Sequence, residues 1–225
     1  MLAIFKREFK SYFQNVIGWL FVAALLAVYG LYFYVYNLKN GYPYISYDLK
    51  GIGFIMMIAV PILTMRSLSD EKKTKTDQLM LTSPVSVGRI VAGKYFAMAA
   101  VYTIDIALFA LSPLVLSIYG KVALSEAYVA LFGYWLYGLS CIAVGLFISS
   151  ISESVIISAI LTFAALFLSY MMQSITGLIS SSGNMLTKVL NCFDLYTPFE
   201  NFVSGCFSVT SAAYYLTVIL LLCFL

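Results

Sequence analysis

Six apolar runs organise the chain. They are Val16 to Tyr36, Leu49 to Leu68, Tyr95 to Tyr119, Ala127 to Ser149, Val155 to Ile175, and a last run from near Ala212 to Leu225. A helix needs about 20 apolar residues to cross bilayer hydrocarbon, and the first five runs reach that length. The sixth is short and the sequence stops inside it, so the natural chain is expected to be longer or this copy truncated. Barrel strands would alternate apolar and polar positions over about 10 residues. These runs are continuous and much longer, so the pattern predicts an all-α membrane protein of six transmembrane helices.

The polar intervals complete the layout. Asn37 to Lys50 is a loop containing Gly41-Tyr42-Pro43, and Arg66 to Lys94 is long and carries most of the charge. Gly120 to Glu126 is short, and Ser150 to Ser154 is a tight hairpin in which Glu153 reads as solvated. Residues 176–211 form a long connection, too apolar for a free loop and too broken for a span. Such backbone survives at membrane depth only where protein or water covers it, which predicts a re-entrant segment before the last helix. Ahead of the first run, Leu2, Phe5, Phe9 and Tyr12/Phe13 form one helical stripe, with Lys6, Arg7 and Lys10 at other positions. A basic amphipathic helix of this kind lies in the membrane plane, so residues 1–14 are expected to be an in-plane helix. Gly18 and Trp19 read as an interface anchor. No internal repeat and no soluble domain appear, so residues 1–225 are read as one transmembrane domain.

Composition sharpens this picture. The chain is 62% apolar and 10% charged, against about half and a quarter in soluble domains. The net charge of +3 is too small to suggest nucleic acid. With no histidine, Ser-His-Asp and Cys-His catalysis and His-ligated metal are excluded. The four cysteines form no CxxC pair, so a zinc or iron–sulfur site is not expected. Cys192 and Cys206 share one connection, where a disulfide and two free thiols both remain open. The N-terminus lacks the small-residue cleavage site of a signal peptide. Of 13 Lys and Arg, 9 fall before the first run or in Arg66–Lys94, and 4 fall on the other side. Cytoplasmic loops keep the excess, so the N-terminus and Arg66–Lys94 are expected in the cytoplasm of a multi-pass protein of the plasma (inner) membrane.

The stretch from Met65 to Lys94 carries the candidate chemistry. Leu68 to Lys75 reads as a charged helix extension leaving the membrane, and Asp77 to Leu81 as a short amphipathic turn stopped by Pro84. A second short helix is expected next, with Ile90 and Val91 pointing back to the membrane. Leu79, Met80, Leu81 and Val85 beside charges suggest a face for a partner; the other reading is a loop folded onto its own helices.

This stretch resembles the ABC-2 family of ABC transporter permeases. Arg66-Ser67, Glu71-Lys72-Lys73, Thr76-Asp77-Gln78-Leu79, Leu81-Thr82-Ser83-Pro84-Val85-Ser86 and Gly93-Lys94 match its second cytoplasmic connection in order. One departure is Lys75, where the family usually has glycine. Tyr196-Thr197-Pro198-Phe199-Glu200-Asn201-Phe202 and Gly205 resemble the family's segment before the last helix. The layout looks closest to small permeases of the gliding-motility and copper-enzyme-maturation type.

The resemblance implies a half-transporter that exports its cargo. A second permease chain, the same or homologous, would pair with this one among membrane lipids. Each would bind a cytoplasmic ABC ATPase subunit through Arg66, Glu71, Lys72, Lys73, Thr76, Asp77, Leu79, Leu81, Ser83 and Pro84. The chain has no GxxxxGK[ST] loop, so no cofactor is expected on it, and ATP and Mg belong on the ATPase. Pro198, Phe199, Phe202 and Gly205 would form the re-entrant segment. A membrane-embedded enzyme or carrier acting on lipid-like substrates without an ATPase is the competing reading.

Other residues stand outside the resemblance. Asp105 is the one carboxylate well inside an apolar run. It reads either as a pathway or helix contact, or as a protonated or hydrogen-bonded structural residue near Tyr102 or Thr103. Pro61 and Pro113 are expected to kink their helices. Gly133, Gly138, Ser140 and Gly145 permit close helix approach, within the chain or across a dimer.

Overall fold

In the computed structural model, the described residues are 2–75, 86–119, 122–179 and 193–224. Their regular structure is all helical, with no strand among them. The helices are α1 (Leu2–Gln14), α2 (Val16–Phe33), α3 (Ser46–Thr64), α4 (Ser69–Lys73), α5 (Val87–Phe109), α6 (Ser112–Tyr119), α7 (Leu124–Ile151), α8 (Val155–Ile179), α9 (Thr197–Val203) and α10 (Val209–Phe224). A π-helical turn, Tyr34–Lys39, continues α2. Five segments are long and apolar enough to cross a membrane: Val16–Lys39, Ser46–Lys73, Val87–Ile118, Leu124–Ile151 and Val155–Met172. The sixth apolar helix, α10, has 16 residues.

Helix α7 is the axis of the bundle. It packs against α3, α5, α8, α9 and α10, and 72% of its apolar window is buried, against 22% for Val16–Lys39 and for Val155–Met172. The small residues of the fourth run explain how so many neighbours fit. A Cβ at Gly133 would collide with Phe202, one at Gly138 with Tyr102, and one at Gly145 with Thr64. All three close approaches are therefore made within the chain. At the periphery, Ile156, Ile157, Ile160, Leu161 and Leu168 of α8 are exposed. Such a face is stable where the surrounding solvent is lipid.

Several boundaries differ from the hydropathy reading. Helix α3 begins at Ser46, because Asp48 in its first turn is buried against Asn37. The charged extension is shorter than expected: α3 stops at Thr64, the chain turns through Met65–Leu68, and α4 covers five residues. Ile90 and Val91 do not stand on a separate short helix: among the described residues α5 runs unbroken from Val87 to Phe109, with Ile90 buried on it. Pro61 lies inside α3, where the helix continues past it. Pro113 stands in the first turn of α6, after a break at Ala110–Leu111. A missing N–H is harmless in a first turn, so Pro113 opens a helix.

Helix α1 turns directly into α2 through Asn15. A Cβ on Gly18 would meet the backbone of Tyr12, and Trp19 Nε1 donates to Phe13 O at 2.9 Å. The aromatic stripe of α1 divides. Phe9, Tyr12 and Phe13 pack on the core, while Leu2 is 83% exposed.

Candidate functional site

The turn between α3 and α4 is fixed from two sides. On one side stands Ser149, near the end of α7. Its Oγ accepts from the Leu68 and Ser69 N–H groups at 3.1 and 3.2 Å, and its carbonyl accepts from Ser69 Oγ at 3.1 Å. The first N–H groups of a helix have no partner within it, so α7 supplies the cap that α4 lacks. Lys72 Nζ donates to the Ser150 carbonyl, adding a second link to α7.

On the other side stands Lys94, in the second turn of α5 and 2% exposed. Its Nζ donates to Ser67 O at 2.8 Å and to Glu71 Oε1 at 2.7 Å, and reaches Glu8 Oε1 at 3.4 Å. Arg7 adds a contact to Glu8 at 2.7 Å and a longer one to Glu71 at 3.8 Å. A buried charge is tolerated only when paired and hydrogen-bonded, and this ammonium has two carboxylates and a carbonyl. It thereby joins α1, α4 and α5 to the end of α3. Burial, with Glu8 and Glu71 close by, also holds the Tyr12 hydroxyl above the ordinary tyrosine range.

Two openings flank this junction. A groove of about 570 Å³ runs between α1 and α4, lined by Arg7, Glu8, Arg66, Asp70, Glu71 and Lys94 among others. A second of about 440 Å³ lies between Leu68, Lys72, Val91 and Phe147. Of the residues singled out in sequence, Arg66 is exposed on the first groove, Glu71 is bonded to Lys94, Lys72 reaches α7, and Lys73 is exposed. Thr76, Asp77, Leu79, Leu81, Ser83 and Pro84 lie outside the described residues. Lys75 has φ 57°, the left-handed conformation that favours glycine.

At the opposite end of the bundle, Asp194 builds α9. Its Oδ1 accepts from the Tyr196 and Thr197 N–H groups, both at 3.0 Å, and Pro198 occupies the first turn. Phe199 and Phe202 are fully buried; Phe199 stacks on Tyr137 with centroids 5.6 Å apart. Gly205, at φ 78°, turns the chain out of the helix. Ser169 of α8 accepts from Leu195 N and donates to Phe193 O, while Tyr215 of α10 donates to Leu195 O. Lys50 pairs with Glu200 at 3.5 Å. With about 1.5 Å rise per residue, Gly133 and Tyr137 lie roughly 14 and 20 Å from the start of α7. The Phe side chains of α9 thus meet α7 near its middle. Cys206 is exposed and free, and Cys192 lies outside the described residues.

Asp105 is fully buried, one turn beyond Tyr102 and one before Phe109 on the α5 face that meets Tyr134 of α7. Its neighbours are engaged elsewhere: Tyr102 donates to Tyr134 O and Thr103 to Ala99 O. Both of its carboxylate oxygens are shut from solvent without a hydrogen-bond partner among the described residues. Glu8, Lys94 as a partner, Ser149 and Asp194 were not singled out from sequence. Glu8 and Lys94 alone had a usable signal, opposite charges beside apolar runs, but they stand 86 positions apart.

The fold defines a multi-pass helical membrane protein with a charged connection clamped at one end of the bundle. Residues 32–225 match the model of the ABC-2 family transporter protein. The chain belongs to that family, which makes it a permease-type subunit of an ABC transporter. No curated protein matches the chain in sequence.

Proposed function

We propose that this chain is the membrane half of an ATP-driven exporter, and that residues 66–94 receive force from a separate cytoplasmic ATPase subunit. ATP and Mg would be held by that subunit. The observation that carries the reading is the Lys94 junction. A segment meant only to connect two spans has no need of a buried ammonium gripping Ser67, Glu71 and Glu8. Such a grip lets a push on α4 be felt by α1, α3 and α5 together, and the Ser149 contacts extend it to α7.

The finer topology follows from the same reading. The N-terminus and α4 face the cytoplasm, α10 completes six spans, and α1 lies in the membrane plane with Phe9, Tyr12 and Phe13 inward. Helix α9 is re-entrant from the outer side, which is supported by its contacts with the middle of α7. A second permease chain completes the transporter.

Co-purification from native membranes tests this. The wild type is expected to bring down an ATPase, and Glu71→Ala and Leu79→Asp to weaken the association or uncouple hydrolysis from transport. Recovery of the wild type without any ATPase in mild detergent would overturn the proposal.

A further inference from the structure

The ends of α2 and α3 farthest from the Lys94 junction meet at a pair of side chains that force transmission does not use. Asn37 sits in the π-helical turn and Asp48 in the first turn of α3. They are 5% and 0% exposed. Buried positions on α2 are Gly18, Phe21, Leu25 and Tyr29; the wider turn that follows carries Asn37, eight residues beyond Tyr29, back toward α3. Single turns of π-helix recur at functional sites.

The hydrogen bonding of this pair is half complete. The Asn37 amide nitrogen donates to Asp48 Oδ2. The two remaining oxygens, Asn37 Oδ1 and Asp48 Oδ1, are both shut from solvent without a hydrogen-bond partner among the described residues. An ionised carboxylate only accepts, and so does an amide oxygen. With Asp48 ionised, two acceptors on directly hydrogen-bonded side chains are left with nothing to accept, in a place where unpaired polar atoms are costly.

One proton on Asp48 Oδ1 satisfies both. The acid O–H donates to Asn37 Oδ1 while the amide N–H donates to Asp48 Oδ2, and the pair becomes reciprocal. Among the described residues no neighbouring group does this instead. Ser112 Oγ gives its proton to Phe109 O at 2.7 Å, so the Tyr29 hydroxyl, bonded to Ser112, is the donor there and has no proton left for Asp48. Lys39 and Lys50 are exposed, and Lys50 is paired with Glu200. A cation would also satisfy two acceptors. However, among the described residues no group of three or more His, Cys, Asp or Glu gathers to hold one.

We propose that Asp48 is an uncharged acid in the folded protein and that its proton, shared with Asn37, locks together the ends of α2 and α3. The site binds a proton and takes no metal. It stands or falls independently of the ATPase reading.

Infrared spectroscopy of the full chain in lipid nanodiscs tests it. The wild-type minus Asp48→Asn difference spectrum is expected to show a lost protonated-carboxyl C=O band that moves down in D2O. Asn37→Leu, which removes the acceptor, is expected to shift the same band up. Loss of ionised-carboxylate bands instead would overturn the proposal. If those bands also respond to a chelator or to replacing sodium with a large organic cation, a bound cation occupies the site. Should Asp48→Asn not fold, the Asn37→Leu spectrum decides alone, and an acid band that does not move removes the sharing.

Discussion

Lys94 shows how much can hang on one side chain. Removing it takes the ammonium from between Glu8 and Glu71, whose side chains are 15% and 19% exposed; breaking a fully buried pair from one side costs about 3–5 kcal/mol, and this partly exposed one less. Lys94→Met is therefore expected to lower the thermal midpoint of the purified protein clearly. Adding Glu71→Gln should recover part of the loss, because the repulsion between the Glu8 and Glu71 carboxylates is then removed. Arg7→Ala, by contrast, removes a contact of a half-exposed side chain and should cost no more than about 1 kcal/mol. Lys75 makes the opposite case. It is the one departure from the motif that this stretch resembles, and its backbone stands at φ 57°, a conformation that favours glycine. A left-handed non-glycine residue costs roughly 1–2 kcal/mol, so Lys75→Gly should stabilise the protein, whereas Lys75→Ala should not. The motif made Glu71 legible as important. Its partners were not legible, because the chain folds back over tens of residues before they meet.

Among the elements, the spans were readable because each is a continuous apolar run, and lipid requires such length. Their ends were less so. Helix α3 gains a turn from a buried polar contact that hydropathy counts as loop, and α5 absorbs the short helix expected before it. Helix α9 was visible through Pro198, Phe199 and Phe202, while the parts that hold it down, Asp194, Ser169 and Tyr215, are ordinary residues from three separate segments. The glycines of α7 were read as permitting close approach without a partner. The structure supplies Phe202, Tyr102 and Thr64. Gly138→Ala should therefore cost about 1–3 kcal/mol by overpacking, seen as a lowered midpoint. Gly30→Ala is the matched control: nothing lies within 4 Å of its Cβ, and alanine should gain up to about 1 kcal/mol from helix propensity.

For the whole molecule, the uneven burial of its helices separates inside from outside. Helix α7 is enclosed, and α2 and α8 face outward. The proposed orientation puts Cys206 on the outer side with Lys50 and Glu200, and Lys75 in the cytoplasm. An impermeant maleimide applied to intact cells should label Cys206 in a Cys192→Ser background, while a Lys75→Cys variant made in a Cys192→Ser/Cys206→Ser/Cys223→Ser background should react only after permeabilisation. The reverse pattern would invert the topology and move α4 away from any cytoplasmic ATPase. The proposed orientation rests on charge counting; the enclosure of α7 was not legible, since its run is no more apolar than its neighbours.

The three glycine contacts of α7 also bear on how chains of this kind can change length over time. Gly133, Gly138 and Gly145 each receive a bulky group from a different neighbour, α9, α5 and α3 in turn. One residue inserted between Gly133 and Gly145 rotates everything beyond it by about 100° and swings a side chain into a place made for another. Insertions and deletions in the fourth span should therefore be found only outside Gly133–Gly145, toward its two ends, and descent within such chains should preserve that interval residue for residue.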